Sequence, residues 1–204
     1  MTPPYNIVLE GHTMNLILAS ASPRRQELLK LFGVPFTVRV ADIDETMDPH
    51  AAPFDEVARV SRAKAMAVPR EKGDVVIAAD TIVVCQNTVL GKPRDEEDAY
   101  RMLRSLSGKD HQVMTGVTVL RDDRAETFTE VTDLHFRDLS DREILRYIAS
   151  KEPMDKAGSY GIQGGAALFC THMVGDYYNV MGLPVCRLGQ TLKAVAPDMM
   201  EEIL

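Results

Sequence analysis

A chain of 204 residues is long enough for one sizeable hydrophobic core, and it leaves room for two lobes sharing a sheet. Apolar residues at 45% and charged residues at 26% are ordinary for a globular protein and exclude a disordered one. A net charge of −7 argues against coating nucleic acid or adhering to anionic membranes, so any phosphate site must be a local concentration of basic residues.

Residues 1–13 read as an N-terminal extension without an assigned role, ahead of Met14 and a single domain over 14–204. Leu16-Ile17-Leu18-Ala19 reads as the end of a buried strand. Ser22 then stands as an N-cap and Pro23 as the first residue of a helix over 23–33. Arg24 and Arg25 fall in its first turn, beside unpaired N–H groups and the positive end of the dipole, at a cost of roughly 0.3–1 kcal/mol each. A polyanion would remove that cost, whereas two solvated arginines would simply bear it.

A strand near 35–40 leads to an acidic loop, Asp42-Ile43-Asp44-Glu45, and a helical pattern over 53–68 with Arg59, Arg62 and Lys64 as basic positions. Residues 74–84 form a β-branched, buried-strand pattern interrupted by one polar pair, Asp80-Thr81. A return through Gln86-Asn87 gives a hairpin to Val89-Leu90, followed by Gly91-Lys92-Pro93 and a helix over 95–107 ending at Gly108. Strands near 111–120 and 126–136 read as an antiparallel pair turning at Arg121-Asp122-Asp123-Arg124. Ser140 with Glu143 forms the capping box of a helix to about Ser150.

The stretch Asp155–Gly165 is too glycine-rich for a regular element, and residues 174–180 read as a loop into a short strand. Pro184 opens a last helix to about Val195, and Met199-Met200 suits packing or a frayed end. The expected class is α/β: mixed, with a central, partly antiparallel sheet flanked by helices.

Asp80 is the sharpest candidate for chemistry, because a carboxylate inside an apolar strand is either buried at a cost or held beside a site. Its competing role is to take backbone bonds at a bulge or turn. A carboxylate can accept a proton from water or hold a divalent cation, and Glu45, near Asp42 and Asp44, offers a second one. The basic candidates are Arg24, Arg25, Lys64, Lys92 and Lys156. Each has a plain alternative: a helical or hairpin lysine is more often solvated. A nucleoside triphosphate with one divalent ion carries about two net negative charges, so four or five cations and a metal would hold it.

P-loop and nucleophile-elbow motifs are absent, and His12, His50, His111, His135 and His172 lack metal-ligand spacing and read as structural or surface residues. Cys85, Cys170 and Cys186 read as free thiols of a reducing compartment. With no apolar run near ~18–20 residues and no leader pattern, a cytoplasmic protein is expected, without membrane or nucleic-acid polymer as partner.

Leu18-Ala19-Ser20-Ala21-Ser22-Pro23-Arg24-Arg25-Gln26-Glu27-Leu28-Leu29, Ala79-Asp80-Thr81, Gly91-Lys92-Pro93 and Asp155-Lys156-Ala157-Gly158-Ser159-Tyr160-Gly161-Ile162-Gln163-Gly164 together resemble the Maf family of nucleotide pyrophosphatases. The likeness runs from about Asn15 to Gln190. It implies two lobes around a deep cleft, similar to inosine triphosphatase-like folds. It also implies hydrolysis of a nucleoside triphosphate to monophosphate and pyrophosphate, a divalent metal, magnesium or manganese, and frequent homodimers.

Position by position, the resemblance assigns Asp80, Glu45 and Lys92 to catalysis, with Asp80 as general base, and Glu45 and Asp80 to the metal. Ser20, Arg24, Arg25, Lys64, Thr81 and Gln163 fall to the substrate, joined by Lys156 from the glycine-rich loop. Arg24, Thr81 and Gln163 are tied to substrate choice. The full glycine-rich motif is similar to the branch acting on dTTP and UTP rather than the one linked to 7-methyl-GTP. A glutamine amide both donates and accepts, which matches the N3–H and carbonyl edge of uracil or thymine. A metal ligand is a poorer base, so Asp80 and Glu45 can divide the two tasks either way. Two other functions stay open: cleansing of modified or non-standard nucleotides, and a nucleotide-sensing regulator of cell division with little turnover. Asp80 and Glu45 favour an enzyme, since a sensor needs cations but no base.

Overall fold

The computed structural model describes residues 7–9 and 12–201. Strand β1 (Ile7–Leu9) pairs antiparallel with β2 (His12–Met14), so part of the segment ahead of the first core strand is backbone-paired. The other residues of the 1–13 extension lie outside the described residues.

β3 (Leu16–Leu18) is wholly buried and runs parallel to both β4 (Phe36–Val38) and β5 (Val75–Cys85). Parallel neighbours need crossover connections, and the chain supplies them as α1 (Pro23–Leu29) and α2 (Pro53–Ala67). Pro23 opens α1 and Ser22 sits extended at its N-cap, but the Ser22 side chain makes no capping bond. The helix tightens into a 3-10 turn, Lys30–Phe32, which ends at Gly33 in the left-handed region.

β6 (Thr88–Leu90) returns on β5 through Gln86 and Asn87, both at positive φ, as a two-residue hairpin turn requires. Next come α3 (Glu96–Leu106), β7 (Asp110–Arg121), β8 (Arg124–Phe136) and α4 (Asp141–Ala149). The Ser140–Glu143 capping box of α4 is present in both directions. With β9 (Cys170–Val174), the sheet has seven strands in the order β4-β3-β5-β7-β8-β9, with β6 on β5.

Three segments differ from the sequence expectations. The glycine-rich stretch is ordered as short 3-10 turns, Glu152–Asp155, Ala157–Ser159 and Gly165–Leu168. The order expected beyond Phe169 is reversed: strand β9 comes first, and Tyr177–Met181 is a short helix, α5. Gly175 at φ 129° ends the strand, the Tyr178 N–H bonds Asp176 Oδ1 at 2.7 Å, and the buried Asn179 amide donates to Val113 O and Thr132 Oγ1. Finally, α6 (Val185–Val195) is followed by α7 (Pro197–Glu201), in which Met199 and Met200 are buried, so this tail packs rather than frays.

The chain forms two compact units. The first holds the described residues up to Asp80, with Gly116–Thr129 and the chain from Gly182 onward. Its core joins Ile17, Val76 and Ala78 to Ala65 and Val68 of and beside α2. Helix α2 lies so close to β7 that a Cβ at Gly116 would overlap the Val57 backbone. Ser61 and Thr118 share a hydroxyl hydrogen bond of 2.9 Å at that contact.

The second unit holds Thr81–Thr115 and Glu130–Met181. Leu103 and Leu106 of α3 and Ile144 and Ile148 of α4 are buried there, beside edge-to-face aromatic contacts among His111, Phe136, Tyr160, Phe169 and Tyr147. His111 shares a 2.9 Å hydrogen bond with the Tyr160 hydroxyl, and burial lowers its pKa to about 4.

An imidazole that stays neutral when folded but titrates near 6.5 when unfolded costs stability as pH falls between those values. Unfolding at successive pH values should show a loss of roughly 2–3 kcal/mol from this source between pH 7 and pH 4. His111→Gln should flatten that limb, and an equal loss in the variant would assign it to other groups.

Candidate active site

Within the first unit, three of the singled-out side chains meet at one point. Lys64 Nζ lies 2.8 Å from Asp80 Oδ1 and 2.8 Å from Glu45 Oε2. The lysine side chain is 10% exposed, Asp80 15% and Glu45 55%, so the arrangement grades from core to solvent. Lys64 follows Val57 by seven residues and Val60 by four, which places it on the buried stripe of α2 and explains why it is not a surface residue. An ammonium brought in on that stripe needs acceptors, and the two carboxylates supply them.

Asp80 reaches this point because β5 runs unbroken through it. Every residue of β5 is buried except Asp80 and Thr81. The carboxylate therefore bonds an ammonium rather than the backbone of a bulge or turn. Glu45 is carried by a loop that α2 ties down. Asp48 N–H bonds Glu56 Oε2 at 2.8 Å, and Arg59 reaches both Glu56 and the Thr46 carbonyl. Beside Glu45, hydrogen bonds from Thr46 hold the Asp44 carboxyl below its ordinary range.

Ser20 and Arg25 adjoin this group. Arg25 donates to Ser20 Oγ at 3.2 Å and to the Gly182 carbonyl at 2.9 Å, while Ser20 Oγ also accepts the Ser22 N–H at 3.3 Å. Withdrawal from water lowers the Arg25 pKa, opposed by the charges of Asp80 and Glu45 and reinforced by Arg24. The first unit thus gathers Ser20, Arg24, Arg25, Glu45, Lys64 and Asp80.

The second unit holds Thr81, Lys92, Lys156 and Gln163. Thr81 Oγ1 lies 3.0 Å from Thr115 Oγ1, and Thr115 donates to the Asn179 carbonyl at 3.0 Å. Lys92 is exposed in the turn after β6, where the Gly158 N–H bonds the Gly91 carbonyl at 3.0 Å and joins that turn to the glycine-rich stretch. Gly158 at φ 66° has no room for a side chain, since a Cβ would stand 2.7 Å from Val83 Cγ2. The Lys156 ammonium bonds within its own loop, to the Glu152 carbonyl at 2.5 Å and Asp155 Oδ1 at 2.6 Å. Gln163 is exposed in a turn closed by the Gly164 N–H on the Gly161 carbonyl at 3.1 Å.

Sequence motifs alone missed Thr115, Asn179, Tyr147 and Glu152. Tyr147 OH accepts from Gly161 N–H at 3.0 Å and donates to Glu152 Oε1 at 2.9 Å, while Glu152 Oε2 accepts from Gly165 N–H at 3.0 Å. Burial, with the Glu152 charge adding, raises the Tyr147 phenol above its ordinary pKa and keeps it a donor. Glu152 could have been suspected from its place just ahead of a glycine-rich stretch, but Tyr147 reads as one more apolar helix position.

Among the described residues, no group of three or more His, Cys, Asp or Glu side chains is arranged to hold a metal ion. Magnesium is commonly held by one or two carboxylates, with water and substrate phosphates completing its shell. Glu45 and Asp80, converging on one cation already, fit that pattern.

A family model described as Maf-like protein matches residues 15–195. The chain belongs to the Maf family. This Maf chain is 50% identical over 192 residues to a protein of Bacillus cereus (strain ATCC 10987 / NRS 248) named dTTP/UTP pyrophosphatase, spanning 93% of the chain and 95% of the relative. A Bacillus anthracis protein of the same name is 49% identical over 185 residues, covering 90% and 97%. Among solved structures, a HAM1 protein from Coxiella burnetii matches with a TM-score of 0.50 at 14% identity, over 89% of the Maf chain and all of the other, a likeness of fold. No helix among the described residues is long and apolar enough to cross a membrane.

Lys64→Met would leave two carboxylates facing each other, one of them mostly buried. Urea denaturation should show a loss of roughly 2–4 kcal/mol. Adding Asp80→Asn should restore part of it, and strictly additive losses would show that the two groups do not interact.

Proposed function

We propose that this Maf protein hydrolyses nucleoside triphosphates, dTTP and UTP foremost, to the nucleoside monophosphate and pyrophosphate. The observation that carries this reading is identity at half of all positions, over nearly the whole chain, with proteins named for that reaction. The paired carboxylates around Lys64 supply suitable chemistry.

In this mechanism Asp80, held in place by Lys64, orients a water and takes its proton as the water oxygen bonds to the α-phosphorus. The α-phosphorus to bridging-oxygen bond breaks, and pyrophosphate leaves with the electron pair. Arg24, Arg25, Lys64 and Lys92 offset charge as it moves onto the leaving oxygens, with Ser20 fixing the Arg25 guanidinium. Glu45, the more exposed carboxylate, would hold magnesium or manganese, with Asp80 beside it. A bound ion of this kind would supply neutralisation of phosphate charge. Gln163 reads the N3–H and carbonyl edge of uracil or thymine, Thr81 and Arg24 contribute to that choice, and Lys156 steadies the glycine-rich loop.

The decisive measurement is pyrophosphate release from a panel of standard and modified nucleotides, with and without metal. Preference for modified bases would support pool cleansing, and binding without turnover would support a sensor. Asp80→Asn should lower kcat by 10²–10⁴-fold at saturating metal, whereas Glu45→Gln should mainly raise the metal concentration required. Near-full turnover in Asp80→Asn would remove the base assignment. Gln163→Ala should even out the rates for dTTP, UTP and GTP, and an unchanged ranking would remove its reading role.

A further inference from the structure

Gln163 sits on an exposed turn, and an exposed turn by itself discriminates poorly, because a mobile amide can satisfy many partners. In the second unit this turn is not left to itself. Gly161 and Gly165, two residues to either side of Gln163, each direct a backbone N–H inward, one to the Tyr147 hydroxyl and the other to the Glu152 carboxylate. The hydroxyl in turn donates to the second Glu152 oxygen, so one closed set of three hydrogen bonds brackets Gln163.

The backbone is shaped around that carboxylate. A Cβ at Gly164 would overlap the Glu152 carboxylate, and one at Gly161 would stand 2.8 Å from Lys156 Cε and 3.2 Å from Glu152 Oε1. At Gly165 a Cβ would come within 3.2 Å of the Tyr147 ring. Ile162, next to Gln163, is buried and pins the turn from below. Three glycines and a buried neighbour thus let the chain wrap a charged acceptor, and bonds to a charged acceptor are the stronger kind.

We infer that Glu152 and Tyr147 are positioning residues that fix the Gly161–Gly165 turn and thereby set base discrimination. This rests on Gln163 as the reader of the base. Neither residue touches the substrate. They act by holding Gln163 in one conformation before the nucleotide arrives, so their removal weakens recognition of the correct base more than it slows the chemistry.

The test measures kcat/KM for dTTP and GTP with magnesium in Tyr147→Phe, Glu152→Gln, Gln163→Ala and the Tyr147→Phe/Gln163→Ala double variant. The dTTP-over-GTP ratio is unaffected by how much of a preparation is folded, so simple destabilisation does not move it. Tyr147→Phe and Glu152→Gln are each expected to lower that ratio about ten-fold, chiefly through KM for dTTP, and the double variant should fall no further than Gln163→Ala alone. An intact ratio in both single variants beside a collapsed one in Gln163→Ala overturns the inference, as does a double variant showing the product of the two effects. If Gln163→Ala leaves the ratio unchanged, the reader assignment falls. The inference, which rests on that reader, then falls with it, whereas intact ratios in the single variants beside a collapsed one in Gln163→Ala overturn the inference and leave the reader standing.

Discussion

One ammonium group between two carboxylates is the constraint on which the first unit is organised. Lys64 cannot be carried into the face of α2 that packs on the sheet without acceptors, and Asp80 cannot stand in a buried strand without a cation. Each makes the other tolerable. Elsewhere on the same helix, Gly116 lets α2 approach β7 at Val57 without an intervening side chain. Glu45, from a loop fastened by Glu56 and Arg59, completes the set from the solvent side. The mostly buried Asp80 and the more exposed Glu45 thus stand in different surroundings on either side of one ammonium.

The balance of charge follows the same local logic. The chain as a whole is acidic, yet Arg25 is held by Ser20 and the Gly182 carbonyl and Lys64 by two carboxylates. Arg25, with burial lowering its pKa and Asp80 and Glu45 raising it, is held partly by charges that a triphosphate would join or replace. Preorganised cations of this kind favour a polyanion without a broad basic surface that would attract nucleic acid.

Much of this was legible in sequence wherever the signal is local. Asp80-Thr81 stands out because the strand around it is otherwise apolar. Gln86-Asn87 marks a hairpin, and Ser140 with Glu143 marks a helix start, since each depends on residues within a few positions. Lys64 was legible in principle, as its spacing from Val57 and Val60 shows, but a lysine on a helix is ordinarily solvated and spacing alone did not outweigh that. What stayed hidden depends on distant partners. Asn179 lies in a short helix whose place is tied to distant chain, since its buried amide nitrogen donates to Val113 and Thr132, 66 and 47 residues away. The glycine-rich stretch is built from 3-10 turns of three or four residues, too short for periodicity to register. Its organiser, Glu152, works through backbone N–H groups that carry no sequence signature.

The threonine pair in the second unit has a consequence of its own. A hydroxyl owns a single proton, and Thr115 gives its proton to the Asn179 carbonyl. The bond between the two threonines must therefore run from Thr81 to Thr115, which commits the Thr81 proton as well. The chain of hydroxyls therefore runs with one polarity, from Thr81 through Thr115 to the Asn179 carbonyl. Whatever meets the Thr81 oxygen must bring a hydrogen of its own or a positive charge, so an unprotonated phosphate oxygen is the wrong partner there and an N–H or a water the right one.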